Sequence, residues 1–288
     1  MTADYSIWTC CFARGQLPAD FMGGSPIASN QGTIETPMLY TVLVSAPSAA
    51  KREVVLVDVG FKDGVSMTGR PFDDFERPPA VLAKLGLTPE DVTLVVLTHL
   101  HFDHAGNFDV FPNAEVVVQR REYEEWTAVI EDLDDTSLGK QSWPLSSLDV
   151  KVFPRLERAL QAGSLRLIDG DVTVGSGLVC RLAADSHTFG SQWLEVTTSR
   201  GTFAIAGDCV YRYVNVERMW PPAYLQGNPW NLIATYKKLV AAVAGQVDRI
   251  IPGHDMEIFR RHPSWIAGNH PVAEINLAQG ESTRRPSS

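Results

Sequence analysis

The chain of 288 residues has only four cysteines, Cys10, Cys11, Cys180 and Cys209, and no C-x-x-C pair. That is too few for a disulfide framework at this length, so reduced thiols are expected, with Cys209 read as a small buried hydrophobe although it follows Asp208. Apolar runs are short: none approaches the ~18 residues a membrane span needs. Residues Met1 to Gly15 also lack the basic start and long apolar stretch of a signal peptide. A soluble, cytoplasmic protein without a membrane partner is the expectation. Positive charge is scarce as well. A net charge of −9 offers no electrostatic footprint for a nucleic-acid backbone, and the pairs Arg120/Arg121, Arg260/Arg261 and Arg284/Arg285 are scattered enough to be solvated surface. No internal repeat, Gly/Ser linker or composition shift divides the chain, so residues 1–288 are expected to form one domain. Its core is placed at about 38–262, with a long amino-terminal loop at 15–37 and a flexible tail at 279–288.

What is present is ordinary globular material, 44% hydrophobic and 20% charged, sufficient for a large core. Residues 38–46, 53–59 and 92–97 are short, apolar and rich in β-branched residues, as buried strands are. Further strands are predicted near 115–119, 165–168, 178–183, 193–199, 202–206 and 248–251. Helices are predicted at 78–86, 120–131, 154–162 and 230–244. Strands dominate both halves without strict alternation, which suggests an α+β fold of two packed sheets with helices outside.

Directly after the strand 92–97 stands Thr98-His-Leu-His-Phe-Asp-His-Ala-Gly-Asn107. Residues at i and i+2 of an extended segment point to one side, so His99 and His101 can grip one ion, while Asp103 and His104 lie past the strand end and are free to turn toward a second. Three imidazoles and a carboxylate crowded together would be destabilising unless a cation compensated them. This mixture of nitrogen and oxygen donors is one that zinc accepts. Further ligands should then follow other strands. His187, Asp208 and His254 each stand just beyond an apolar segment, so all could converge on one sheet edge. Five of the seven histidines are thereby used; His262 and His270 lie in a polar carboxyl-terminal stretch and are read as surface residues.

These residues, in this order over roughly 38–262, resemble the metallo-β-lactamase superfamily. The resemblance implies a four-layer αβ/βα sandwich and two metal ions, Zn2+ or another divalent metal, one held by His99, His101 and His187 and the other by Asp103, His104 and His254. Asp208 would bridge them. Two-zinc β-lactamases usually carry another residue in place of His104, and diiron relatives usually have Glu in place of His101; this chain departs from both. Its His99-Leu-His-Phe-Asp-His-Ala-Gly106, the Tyr211 three residues after Asp208 and the Gly253-His-Asp255 segment resemble the N-acyl-homoserine-lactonase-like branch.

The activity so implied is ring opening of a small lactone. Two cations sharing a water would supply hydroxide at neutral pH, Asp208 would hold both, Tyr211 would hydrogen-bond the carbonyl region, and Asp103 would pass a proton to the leaving alkoxide. No organic cofactor is needed. Phe102, Tyr213, Trp220 and Tyr224 are the candidate pocket residues, those after Tyr211 lying in an aromatic, proline-rich segment, and suggest a partly apolar or aromatic substrate. The 15–37 loop and an insertion at 132–150 containing Trp143 would complete the pocket. A cyclic carbamate or amide, or a glyoxalase-II-like thioester, would obey the same chemistry. A non-catalytic metal-binding module is the reading from another class. A homodimer is compatible with the sequence but not required by it.

Overall fold

The computed structural model describes residues 4–23, 32–67, 69–134 and 142–285. Its strands form two sheets. The larger runs in the order β12 (Ser264–Ala267), β13 (His270–Asn276), β1 (Tyr5–Pro18), β2 (Thr33–Ser45), β3 (Val54–Val57), β4 (Leu94–Val96), β5 (Glu115–Gln119) and β6 (Leu165–Ile168). The smaller runs β11 (Ile250–Pro252), β10 (Gly201–Gly207), β9 (Gln192–Thr198), β8 (Leu178–Leu182) and β7 (Val172–Gly175). β3 through β6 pair in parallel, as do β10 and β11, whereas β8, β9 and β10 alternate. The carboxyl ends of β3, β4 and β5 therefore share one edge of the first sheet, and those of β8, β10 and β11 share one edge of the second.

The period of two in each strand builds the layers. In β3, Val55 and Val57 face the other sheet, meeting Leu178, Leu194 and Ile205 in the central core. Val54 and Leu56 face outward under α2 (Pro78–Ala83), α4 (Arg120–Asp134) and α5 (Phe153–Gln161), beside Leu82, Trp126 and Leu156. On the second sheet the outer residues Trp193, Ala204 and Ile250 pack beneath α6 (Tyr213–Arg218) and α7 (Pro229–Ala242) through Val216, Leu232 and Tyr236. Strands buried on both faces read as continuous apolar runs, which is why they were legible. The start of α7 is sharply marked: the Asn228 side chain accepts from the backbone N–H of Trp230 at 2.8 Å and Pro229 takes the first helical position. The result is helix, sheet, sheet, helix, a metallo-β-lactamase sandwich. Short helices, α1 (Ala19–Gly23), α3 (Phe102–Ala105) and α8 (Ile258–Arg261), interrupt the connections. Among the described residues no helix is long and apolar enough to cross a membrane.

Several sequence expectations fail here. The predicted loop at 15–37 is strand at both of its ends, because β1 pairs with β2 through to Pro18 and Thr33, and residues 19–23 are helical; residues 24–31 lie outside the described residues. The tail at 279–285 is docked rather than free. The Gln279 N–H donates to Asp4 at 2.8 Å, Thr283 Oγ1 donates to Glu274 at 2.9 Å, and the Arg284 guanidinium covers the Trp8 ring at 5.0 Å. Residues 286–288 lie outside the described residues. His262 and His270 are not surface residues. His262 is half-buried, and His270 opens β13, 3% exposed, with Nε2 2.9 Å from Glu76. The hairpin β12–β13 was missed because its apolar residues are interleaved with Ser, His, Glu and Asn, yet it places Trp265 and Val272 in one core and Ile275 in another.

Candidate metal centre

The site is assembled from strand ends. His99 and His101 follow β4, and Asp103 and His104 occupy the single turn of α3. His187 lies in the loop after β8, Asp208 directly after β10 and His254 two residues after the end of β11. Close contact between these loops is built in. Gly207 turns with φ of +49°, and a Cβ there would stand 2.5 Å from Thr98 Oγ1; a Cβ on Gly253 would stand 2.5 Å from Asp208 Oδ1. Glycine is what allows both approaches.

The structure brings all seven predicted residues together in two adjoining groups. His99, His101, His187 and Asp208 form one and Asp103, His104 and His254 the other, with donor atoms in each group all within 4.8 Å of one another. Asp208 faces both. Its Oδ2 lies 3.4 Å from His187 Nε2 and 3.8 Å from His99 Nε2, while Oδ1 lies 3.0 Å from His254 Nε2 and 3.2 Å from His104 Nε2. Asp103 Oδ2 is 3.5 Å from His254 Nε2 and 3.6 Å from His104 Nε2.

The outward nitrogens of His99, His104 and His254 are held, which turns the inward ones to the centre. His104 Nδ1 donates to Asp58 Oδ2 at 2.8 Å and His254 Nδ1 to the Pro37 carbonyl at 3.0 Å. Thr98 donates its backbone N–H and its hydroxyl to Asp58, both at 2.8 Å, leaving Thr98 Oγ1 as acceptor for His99 Nδ1 at 3.0 Å. Inside, His99 Nε2, His104 Nε2 and Asp208 Oδ1 are buried without a hydrogen bond. An unsatisfied buried polar group costs about 1–3 kcal/mol, and these atoms, His99 Nε2 in the first group, His104 Nε2 in the second and Asp208 Oδ1 between them, are what divalent cations would satisfy. The borderline imidazoles and hard carboxylates fit zinc and its neighbours.

Charge supports the same fit. Burial lowers His99, and pushes His101 down to about 4 and His187 to about 3, so these three are neutral donors. Burial would lower His104 and His254 too, but Asp208 and Asp103, with Asp58 for His104, outweigh it and raise both. Burial would raise Asp208, yet His254 and His104 hold it well below the carboxylate range. Without a metal, the carboxylates thus favour protons on His104 and His254 over their neutral forms.

A cavity of about 220 Å³ opens onto this cluster, reaching His101, Asp103, Asp208 and His254. Tyr211 is 4% exposed, its ring 5.3 Å from that of His187 and 5.5 Å from that of His254, and it lines the same cavity. Burial foremost, with Asp208 and Asp103 nearby, keeps its hydroxyl protonated. Phe102 and Tyr224 line the cavity as well. Tyr213 and Trp220 do not: Tyr213 opens α6 inside the core with its ring under Arg261, and Trp220 packs on Arg218, because the segment coils into a helix that turns both away. Apolar walls come from Leu17, Met22 and Met38 of the amino-terminal hairpin and from Met67 and Phe72. Ser146 and Ser147 of the 132–150 insertion reach the cavity, whereas Trp143 is 59% exposed and residues 135–141 lie outside the described residues. A larger cavity of about 710 Å³, beside Arg249, Arg261 and Asn276, contains none of the seven residues.

Sequence reasoning missed the supports. Asp58 was passed over as the end of an apolar strand, though a buried aspartate there is a signal. Glu122 is fully buried and accepts from Leu100 N–H at 3.0 Å, Trp126 Nε1 at 2.9 Å, Thr188 Oγ1 at 2.8 Å and Gly190 N–H at 2.7 Å. It thus clamps the His99–His101 turn to the His187 loop; nothing local in Glu122-Tyr-Glu-Glu125 distinguishes it from its exposed neighbours.

A two-sheet sandwich with such a cluster at its strand ends defines a class, and the chain belongs to the metallo-β-lactamase superfamily, whose family model matches residues 41–254. It is 28% identical over 226 residues to an N-acyl homoserine lactonase of Bacillus thuringiensis, covering 78% of this chain and 79% of that one. The fold is shared with an N-acyl homoserine lactone hydrolase solved with the product N-hexanoyl-L-homoserine at its catalytic metal center, at 22% identity and a TM-score of 0.64 over 90% of this chain and 96% of that one. It is shared too with AidC, a dizinc quorum-quenching lactonase, at 18% identity and a TM-score of 0.64 over 88% of each chain.

Proposed function

We propose that this chain is a dinuclear, zinc-type lactonase that opens a small lactone bearing an apolar acyl group, of the N-acyl homoserine lactone kind. The observation that carries this reading is the position of Asp208, with one carboxylate oxygen toward the His99/His187 side and the other toward the His104/His254 side. Such a carboxylate suits two cations side by side. His99, His101 and His187 would hold one, Asp103, His104 and His254 the other, with Asp208 shared. Two divalent cations there supply Lewis acidity toward an ester carbonyl and lower the pKa of a water into the neutral range.

The residues of the chain do the rest. The Met22, Met38 and Phe72 side chains give the acyl group an apolar wall and keep bulk water from the scissile bond. Tyr211, kept protonated, donates a hydrogen bond to the lactone carbonyl region as charge develops there. Asp103, whose side chain is 12% exposed, borders both the cluster and the cavity, and would take the proton given up by the attacking water and pass it to the alkoxide released when the ring C–O bond breaks. The relatives named above, which act on N-acyl homoserine lactones, support the substrate class.

The test is metal content and ring opening measured on one sample, across acyl-homoserine, aliphatic and aromatic lactones, a cyclic carbamate and a thioester. About two metals per chain, with lactone turnover lost in Asp208→Ala, is the expected result. Two metals with turnover of the thioester alone would replace the substrate class, and no turnover of any carbonyl compound would leave a binding module.

A further inference from the structure

His101 differs from the other histidines of the cluster: its outward nitrogen is held by a side chain that stands two residues after Tyr224 of the cavity wall. His101 Nε2 lies 2.7 Å from Gln226 Oε1. The amide orientation of Gln226 is settled by its other contacts, since Gln226 Nε2 lies 2.9 Å from the Pro144 carbonyl and 3.4 Å from that of Trp143. Carbonyl oxygens only accept, so the Gln226 NH2 must face them and Oε1 must face His101. His101 therefore carries its proton on Nε2 and turns the bare Nδ1 inward, where it stands 3.1 Å from His187 Nε2.

The same stretch ties the rim together. Tyr224 Oη lies 3.0 Å from Ser146 Oγ, is also hydrogen-bonded to Ser147, and its ring stacks on Phe21 at 4.7 Å. Phe21, Ser146, Ser147 and Tyr224 all line the cavity. The segment 143–147 thus borders the cavity through Ser146 and Ser147 and holds Gln226 through the Trp143 and Pro144 carbonyls, and Gln226 meets His101 of the candidate metal centre.

We infer that Gln226 is a positioning residue that fixes the tautomer and orientation of His101 and couples the seating of the 143–147 rim to metal affinity at the His99/His101/His187 position. This rests on the dinuclear reading above. Its two faces are separable by substitution. Gln226→Leu removes both the acceptor for His101 and the donor to the rim, whereas Gln226→Glu keeps the acceptor and removes the donor.

The experiment is chelator competition on the zinc-loaded protein and its variants, together with the visible spectrum of the cobalt-substituted forms, and thermal unfolding of the metal-free forms as a folding control. Gln226→Leu should release one metal equivalent at a roughly 10- to 100-fold lower chelator concentration, with the other equivalent unchanged and the cobalt bands shifted. Gln226→Glu should recover at least half of that loss on a logarithmic scale. Its KM for an acyl lactone should nonetheless rise, because the rim is untied. If Gln226→Leu retains both equivalents as tightly as the parent with the same cobalt spectrum, or if Gln226→Glu gives no recovery, the inference is overturned. A parent protein that binds one metal or none, or two without lactone turnover, would instead overturn the dinuclear lactonase reading.

Discussion

His104 donates through Nδ1 to Asp58 Oδ2 at 2.8 Å, and the same carboxylate takes the Thr98 backbone N–H at 2.8 Å. Asp58 has a φ of +63°, a conformation that Asp and Asn tolerate better than most residues. One side chain at the end of β3 thus aligns His104 directly and His99 through Thr98. Asp58→Asn should keep the backbone but offer a weaker, uncharged acceptor. A metal affinity lower by about 10- to 100-fold is expected, together with a loss of about 1–3 kcal/mol in stability because Asn leaves one buried donor without an acceptor, as measured by chelator competition and calorimetry.

Tyr211→Phe removes one hydroxyl from the cavity and nothing from the cluster. Metal content should stay at the parent level while kcat for lactone opening falls, by about 10²-fold if the hydroxyl donates to developing charge. An unchanged kcat in steady-state kinetics would make Tyr211 only a packed aromatic.

Glu122→Leu should be the most damaging change outside the ligands themselves. It strands four buried donors, each worth about 1–3 kcal/mol when left unpaired, so a loss of at least ~3 kcal/mol in urea unfolding is expected. Because the Leu100 and Gly190 contacts hold the turns that carry His101 and His187, metal retention should fall with it.

Metal binding should release protons. In the metal-free protein the neighbouring carboxylates raise His104 well above, and His254 above, the ordinary histidine value, so protons compete with a cation for both. Lowering the pH strengthens that competition. Apparent zinc affinity should therefore rise with pH from about 6 upward, and zinc added to metal-free protein in weak buffer should acidify it. Affinity independent of pH by calorimetric titration would contradict this assignment.

The thiols should be inert until the chain unfolds. Cys10, Cys11, Cys180 and Cys209 are buried, and burial pushes each up to about 12. A thiol reagent at pH 8 should modify none in the native protein and all four in guanidinium.

The sequence by itself determined the features that are local and periodic. Val54–Val57, Leu94–Val96 and Gly201–Gly207 were legible because a strand buried on both faces must be a short apolar run, and the His99–His104 turn because four residues able to bind a metal in six positions have no cheaper explanation. Those same local rules read the paired strand ends Gln16–Pro18 and Thr33–Thr36 as loop and the β12–β13 hairpin as polar surface, since register with a distant partner, not composition, made them strands. Only the tertiary structure decided that Asp208 faces both groups, that Asp58, Glu122 and Gln226 meet His104, Leu100 and His101 from 46, 22 and 125 residues away in sequence, and that Tyr224 rather than Tyr213 borders the cavity. The physical reason is common to all of these: a buried polar group is satisfied by whichever partner the fold brings within about 3 Å, and the chain carries no local record of that neighbour.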